Sequence, residues 1–365
     1  MCARRLIVLA AVLAGLLGPA HAAPPPAVRI TALETTPVPG AKRAQWFRFN
    51  DGRIVIDGGE VGLWSSDDGR SWTVGAPGPA THGGKTAIDL GGGEILSIGR
   101  APTPVDGGLR LRLKRSHDDW RTVQAEAARL DVPGAADIIG DDCQITPGPM
   151  IHHGVVRLKS GVLVATAYGR TADDQTDAEA YPAGCAVKKL RAMVLFSRDG
   201  GRTWGDPVTV AWSGMIDPRT GARYAAREGF DESDIVLRPD GELLMVMRSG
   251  SATHSYPGPE TPLYLARSRN GGRTWTAPVA IARLGTSPHI VQLGNGVLVV
   301  TYGGDGGWIQ ASADDGEGWG PPLQLTRSDS YTNLAAIGGD RCLAAYYDED
   351  RKAYVVTRFA VTRGR

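Results

Sequence analysis

Glu232, Arg248 and Tyr331 are the residues of this chain with the most chemistry to perform together. A carboxylate beside a phenol can take its proton, which turns the phenol oxygen into a usable nucleophile. An arginine fork binds a carboxylate through two parallel hydrogen bonds and keeps its charge at any ordinary pH. The three residues lie far apart in sequence, so only tertiary structure can bring them together.

A repeated turn supplies the framework. Ser197-Arg198-Asp199-Gly200-Gly201-Arg202-Thr203-Trp204 reads S-x-D-x-G-x-T-W. Ser268 to Trp275 repeats it with Asn for Asp, and Ser65 to Trp72 with Ser for Thr. Ser312 to Trp319 keeps the Ser, Asp, Gly and Trp, and Ser116-His117-Asp118-Asp119-Trp120 looks like a shortened copy. Each copy follows an apolar run, and most precede a second one. The pattern is strand, turn, strand, with Ser and Asp bonding backbone N–H groups and Gly supplying positive φ. The closing Trp is expected to plug the space between neighbouring sheets. Trp46, Trp64 and Trp212 are read as packing of the same kind.

Strand-turn-strand units fall at 45–56, 86–98, 154–165, 235–247, 290–301 and 334–346. This spacing predicts an all-β fold, a six-bladed β-propeller in which the strand at 28–33 completes the last blade. Inner-strand ends then line a central pocket. Before each inner turn stand Arg43, Gly84, His152, Glu232, Ser287 and Tyr331, with Lys42 competing for the first place. After it stand Gly59, Arg100, Tyr168, Arg248, Gly303 and Tyr347. Longer loops at 101–109, 131–149 and 171–186 offer Asp106, Asp173 or Asp174 as an acid.

The chain has 365 residues, 49 of them Gly, and a formal net charge of +1, so nothing points to nucleic acid or an anionic membrane. Arg4 and Arg5 precede an apolar run at 6–17, and Ala20-His21-Ala22 forms an A-x-A pattern. A signal peptide over 1–22 and export to the periplasm or beyond are expected, with one domain over 23–365. In an oxidising compartment Cys143 and Cys185 are placed to pair, and Cys342 reads as a buried apolar residue. No Cys and His spacing suggests a metal site, no cofactor is expected, and a monomer is.

In these turns, and in three further stretches, the sequence resembles the sialidase (neuraminidase) superfamily. That family's six-bladed propellers carry such turns, called Asp-boxes or BNR repeats. The stretch 149–169 is similar to the family's third blade, and Glu232-Ser233-Asp234-Ile235 through Arg248 to its fourth. Tyr331-Thr332-Asn333-Leu334-Ala335 is similar to its nucleophile motif. The resemblance implies a glycoside hydrolase that releases a terminal acidic sugar, with Tyr331 as nucleophile and Glu232 as its partner. Arg248, with Arg43 or Arg100, would clamp the sugar carboxylate; His152 and Tyr168 are expected to line the site from their strand ends, and Asp174, from its loop, to serve as acid.

Three places depart from the family pattern. Lys42-Arg43-Ala44 stands where the family has R-I-P, Asp57-Gly58-Gly59-Glu60 is a short connection, and 302–307 lacks an arginine. Two alternatives therefore stand beside the hydrolase. One is a propeller acting on uronate polysaccharide by β-elimination, through His152 or His153 and a tyrosine. The other is a propeller that binds carbohydrate without turning it over.

Overall fold

The computed structural model describes residues 27–79, 86–140, 143–179, 185–224, 226–250, 261–328 and 331–364. The expected signal peptide and Gly84 lie outside the described residues. Among those described there is no helix, and hence none long and apolar enough to cross a membrane.

One four-strand antiparallel meander recurs along the chain. The first is Trp46–Arg48, Ile54–Asp57, Gly62–Ser65 and Thr73–Gly75. The second is Thr86–Gly91, Glu94–Ile98, Gly108–Ser116 and Gln124–Leu130. The third is Met150–Arg157, Leu163–Thr171, Arg191–Ser197 and Thr203–Ala211. The fourth runs from Ser233–Leu237 to Val279–Ala282, and the fifth from Thr286–Gln292 to Leu323–Thr326. The last holds Asn333–Gly338, Arg341–Asp348 and Ala353–Arg363, and its outer strand is the N-terminal Val28–Pro37. The second and third meanders are not separate sheets. Arg129 and Leu130 pair in parallel with Thr203 and Trp204, which merges the two into one ten-stranded sheet.

The second strands are continuous apolar runs because both of their faces are covered. Leu243–Met247 and Leu298–Gly303 are buried at every position. Six of the apolar clusters are each shared by two consecutive meanders. Phe49 and Val55 of the first meet Ile95 of the second, and Leu96 and Leu113 meet Leu195 and Trp204 of the third. Val194 and Phe196 meet Met245, Leu244 and Leu265 meet Val300, and Val299 and Ile309 meet Leu334 and Phe359. The succession returns to its start where Leu343 and Val356 of the last meander pack on Ile54 and Ile56 of the first.

The turns share one hydrogen-bonding scheme. Ser65, Ser116, Ser197, Ser268 and Ser312 each accept, through Oγ, the backbone N–H four residues on, at 2.8–2.9 Å. The copy at Ser116 is full length rather than shortened. Its Trp120 occupies the glycine position, at φ 70°, and Thr122 donates to Asp118 where Thr203 donates to Asp199. Trp204 is 0% exposed and lies between the second and third meanders. Its indole N–H donates to the Gly201 carbonyl at 3.0 Å. Trp46 packs in the core and Trp64 is half-buried against Phe49. Trp212 does not pack as expected: it is 40% exposed beside the Arg191 guanidinium, at 5.4 Å.

A second recurring contact ties neighbouring meanders. Arg53, Arg115, Arg267 and Arg358 donate to the carbonyls of Asp119, Gly200, Asp315 and Asp68, at 3.4, 2.7, 2.5 and 2.7 Å. Each acceptor is the fourth residue of a turn in the next meander, and all four have φ between 55° and 70°. Arg115 is fully buried and is also paired with Glu94 and Glu126.

Cys143 and Cys185 form a disulfide with Cα atoms 5.2 Å apart, and Cys342 is buried, its thiol pushed up to about 12 by that burial. Truncation of the plug tests the packing. Trp204→Ala is expected to lower stability by about 3–5 kcal/mol, read as a reduced denaturant midpoint. A midpoint equal to that of the parent would show that the indole does not hold the two meanders together.

Candidate functional site

Glu232 stands one residue before the Ser233–Leu237 strand. Its backbone is fixed there, since the Arg248 N–H donates to its carbonyl at 2.9 Å and its own N–H donates to Asp231 Oδ1 at 2.7 Å. The residue is 4% exposed, so its charge must be met from within the protein. Oε2 accepts the Ser287 N–H at 2.9 Å and faces Arg248 Nη1 at 3.2 Å. Oε1 accepts the Tyr331 hydroxyl at 3.1 Å, and His152 Nε2 lies 3.6 Å from the same oxygen. Tyr331, two residues before the Asn333–Gly338 strand, is 51% exposed. The negative charge of Glu232, with burial of the hydroxyl, pushes the phenol well above its usual range against the pull of Arg248.

Two distorted strands aim groups at this carboxylate. The pairing of Met150–Arg157 with Leu163–Thr171 shifts between Ile151 and Val155, and His153 sits there at φ 48°. The bulge places His152 and His153 together, with ring centroids 3.8 Å apart. A second shift lies between Thr286 and His289, with Ser287 at φ 41°. It presents the Ser287 N–H to Glu232, and it stacks His289 on His153 at 4.4 Å. His289 Nδ1 is 3.4 Å from Asp234 Oδ2, an oxygen that also accepts the Ile290 N–H. Non-glycine residues at positive φ are uncommon and cluster at functional sites. Gly154 is needed here, because a Cβ would meet Asp234 Oδ1 and the Ile235 nitrogen at 2.7 Å.

Arg248 does not stand as a clamp facing outward. Its guanidinium is surrounded by three carboxylates: Glu228 at 2.5 Å, Glu232 at 3.2 Å and Asp231 at 3.6 Å. Burial works against its charge, and Asp231, Glu232 and Glu228 outweigh that, so its pKa lies well above the ordinary value. Asp231 is pushed up to about 8, chiefly by burial, with Arg248 opposing and Glu228 and Glu232 adding to the rise. With one cation among three acids, Asp231 is the acid that holds its proton above the ordinary carboxylate range.

The other expected residues divide. Arg100 donates to the Tyr168 hydroxyl, with its guanidinium 5.7 Å from that ring, and it acts electrostatically on Glu232 and Tyr331. Tyr168 is buried, and its ring lies 5.5 Å from His152. Arg43 is 61% exposed and reaches Asp57 at 3.4 Å; no contact joins it to Glu232 among the described residues. Tyr347 pairs with the Tyr354 ring rather than with this group. Asp174 is bound through both oxygens by Arg191, at 2.5 and 2.7 Å. Against the cost of burial, Arg191 and the Thr171 N–H hold it below the usual carboxylate range. A carboxyl held ionised has no proton to give, so Asp174 is unsuited to the acid role expected of it. Glu228 and His289 are site residues that sequence reasoning did not single out. The acid-rich run Glu228-Gly229-Phe230-Asp231-Glu232 ahead of an apolar strand is the signal by which the first could have been found. No group of three or more His, Cys, Asp or Glu side chains among the described residues has metal-binding geometry.

No protein family and no curated protein matches the sequence. Solved structures do match in three dimensions. A protein of unknown function from Dyadobacter fermentans is 17% identical over 91% of this chain and 99% of its own, with a TM-score of 0.61. The α-L-arabinanase of Penicillium chrysogenum, solved with arabinobiose, is 15% identical over 90% of this chain and 98% of its own, with a TM-score of 0.57. The Hadza microbial sialidase Hz136 is 18% identical over 88% of this chain and 65% of its own, with a TM-score of 0.54. At these identities the likeness is one of fold: an all-β propeller of the kind seen in sialidases and arabinan-acting enzymes.

The state of Asp231 has a consequence for stability. Its proton is held more tightly in the folded than in the unfolded chain, so its contribution is full below the unfolded value of 3.8 and is lost as pH rises to about 8. Asp231→Asn removes that loss. The variant is expected to gain stability over the parent at pH 8 relative to the difference at pH 4, in paired thermal melts. An equal difference at both pH values would show that Asp231 is ionised throughout.

Proposed function

We propose that this chain is an exported glycoside hydrolase on a six-bladed β-propeller, in which Tyr331 attacks the anomeric carbon of a terminal sugar as the glycosidic C–O bond breaks, Glu232 takes the phenol proton, the departing oxygen takes a proton from solvent, and water then cleaves the glycosyl-tyrosine. The hydrogen bond from Tyr331 to Glu232, 3.1 Å long, carries the reading. Glu232 is sealed from solvent and Tyr331 is half-exposed, so the phenol is the member of the pair that meets a substrate. The phenol resists ionisation at rest, and the adjacent carboxylate relieves this by accepting the proton as the bond to carbon forms. Tyrosine nucleophiles are a known exception to the two-carboxylate scheme of glycoside hydrolysis. The blade count rests on the succession of shared apolar clusters, which passes through the six meanders and returns to the first. Export rests on the leader-like N-terminus and on the disulfide.

The charge around Arg248 bears on the sugar. An acidic sugar needs a guanidinium with a free edge, and Arg248 is committed to three carboxylates. Arg100, whose charge acts on Glu232 and Tyr331, is engaged by the Tyr168 hydroxyl. This favours a second reading, a neutral glycan, the type of ligand carried by the arabinobiose-bound arabinanase of like fold. The β-elimination route is left with His153, which is half-buried, since His152 is fully buried and cannot reach a substrate carbon.

A panel of chromogenic sialosides, uronides and α-L-arabinofuranosides separates these readings. Turnover of at least one is expected, and Tyr331→Phe is expected to lower kcat by at least about 10²-fold with an unchanged melting temperature. A Tyr331→Phe variant of parental activity sinks the mechanism. An unsaturated product absorbing in the ultraviolet identifies a lyase, and binding without turnover of any glycan identifies a lectin-like propeller.

A further inference from the structure

We propose that one face of the second meander is a docking surface for an acidic polysaccharide, separate from the Tyr331 site, with Arg110, Arg112, Lys114 and Arg129 as its cations. That the partner is a polysaccharide rests on the hydrolase reading; that it is an anionic chain rests on the charge of the face alone.

The strand Gly108–Ser116 alternates along its middle. Leu111, Leu113 and Arg115 are buried, while Arg110, Arg112 and Lys114 are exposed. Alternate residues of a strand share a face, so the three cations stand in a straight row, about 6.8 Å apart. The neighbouring strand Gln124–Leu130 sets Arg129 opposite Arg110, and the small Ala127 and Ala125 opposite Arg112 and Lys114, all three of them exposed. Like charges directly opposite one another weaken a sheet, so the Arg110 and Arg129 pair does not serve the fold. Acids are supplied where the fold needs them: buried Arg115, on the other face, pairs with both Glu94 and Glu126. On the exposed face Arg129 reaches Asp131 at 3.3 Å, with both side chains more than half exposed. Arg110, Arg112 and Lys114 have no carboxylate partner among the described residues. The row lies on the side turned to the first meander, since Ile95, on the same face, packs against Phe49 and Val55. The outer strands of that meander hold four and three residues, against nine and seven in the second, and are too short to cover it.

The chain as a whole carries a formal charge of only +1, so the row is a local concentration of positive charge. Its other exposed members are Thr103, Val105, Ala125 and Ala127. They offer neither an aromatic ring for a nucleic-acid base to stack on nor the broad apolar side that a bilayer surface takes up. A straight row of evenly spaced cations fits an extended chain of repeated carboxylates. The row also starts beside the site. The Gly99 N–H donates to the Arg112 carbonyl at 2.8 Å, and Arg100 follows Gly99. Arg112 thus stands one strand out from the chain that delivers Arg100 to the site, about 4.8 Å across the sheet. Held there, an acidic backbone presents its neutral side branches to Tyr331, which matches a site whose Arg248 is committed to carboxylates.

Calorimetric titration with polygalacturonate tests the surface without turnover. The parent is expected to bind at low ionic strength, to lose that binding as salt is raised, and not to bind neutral dextran. Tyr331→Phe is expected to bind polygalacturonate as the parent does. The triple variant Arg110→Gln, Arg112→Gln, Lys114→Gln is expected to bind about tenfold more weakly with an unchanged melting temperature, and Arg112→Glu alone about fivefold more weakly. A second triple variant, Arg283→Gln, Arg327→Gln, Arg351→Gln, removes the same charge from exposed arginines of other parts of the ring and is expected to bind like the parent. No binding by the parent, parental affinity in Arg112→Glu, or equal losses in the two triple variants overturn the proposal. Tighter binding of duplex DNA or of phosphatidylglycerol vesicles overturns it as well, because the occupant is then another polyanion. The hydrolase reading fails separately. On small chromogenic glycosides the first triple variant is expected to keep parental kcat and KM. Polygalacturonate binding with no glycoside turned over upholds the surface and counts against the hydrolase, and turnover without polymer binding does the reverse.

Discussion

A carboxylate shut away from water governs the geometry at the centre of this protein. Glu232 is buried, and both of its oxygens are met by groups from four different strand ends. The ionised form of such a group persists only with partners close at hand. Ser287 supplies a backbone N–H, Arg248 a charge, Tyr331 a hydroxyl and His152 an imidazole nitrogen, each from a meander or a join between meanders. The two bulges and the glycine at 154 follow from the same demand, because an unbroken pleat would aim these groups elsewhere. The surplus of acid is met next door, where Arg248 sits among three carboxylates and burial raises the pKa of Asp231.

Farther from the axis the binding forces are of another kind. The Ser-x-Asp turns close their hairpins by local hydrogen bonds, which is why they are short and stereotyped. They also present a carbonyl whose residue has a left-handed backbone, and arginines of the preceding meander reach for it at four junctions. Local turn chemistry and long-range docking thus use the same few residues. Trp120 at φ 70° shows that the hydrogen-bond scheme holds the backbone even where glycine is lost.

Much of this was legible in the sequence. The spacing of turns and apolar runs marks strands that the structure contains, and Glu232 and Tyr331 were placed together through the ends of inner strands. What escaped depended on geometry that types and spacing do not encode. Arg248 reads in the sequence as a clamp for a ligand because the burial of Glu228 and Asp231 beside it is not encoded in residue order. Asp174 looked like an available acid because its partner Arg191 lies on a strand reached only after a long loop. The copy at Ser116 looked truncated because a tryptophan in a glycine position imitates the closing tryptophan of the repeat. His289 carries no signal in the sequence, because the one-residue bulge that turns it towards Asp234 is invisible in the alternation of apolar residues.

The outer strand of the last meander comes from the opposite end of the chain. Val28–Pro37 pairs with Ala353–Arg363 along most of its length, and Thr35 bonds Thr357 across 322 positions. On a ribosome, the first of these strands emerges long before its partner exists. Until synthesis ends, the leading segment has no sheet to join, and the last meander has a bare edge. Joining strands so distant in the chain is slow, because the loop must be closed before its contacts are gained. Until its two ends meet, the nascent chain carries an unpaired sheet edge that a chaperone can engage.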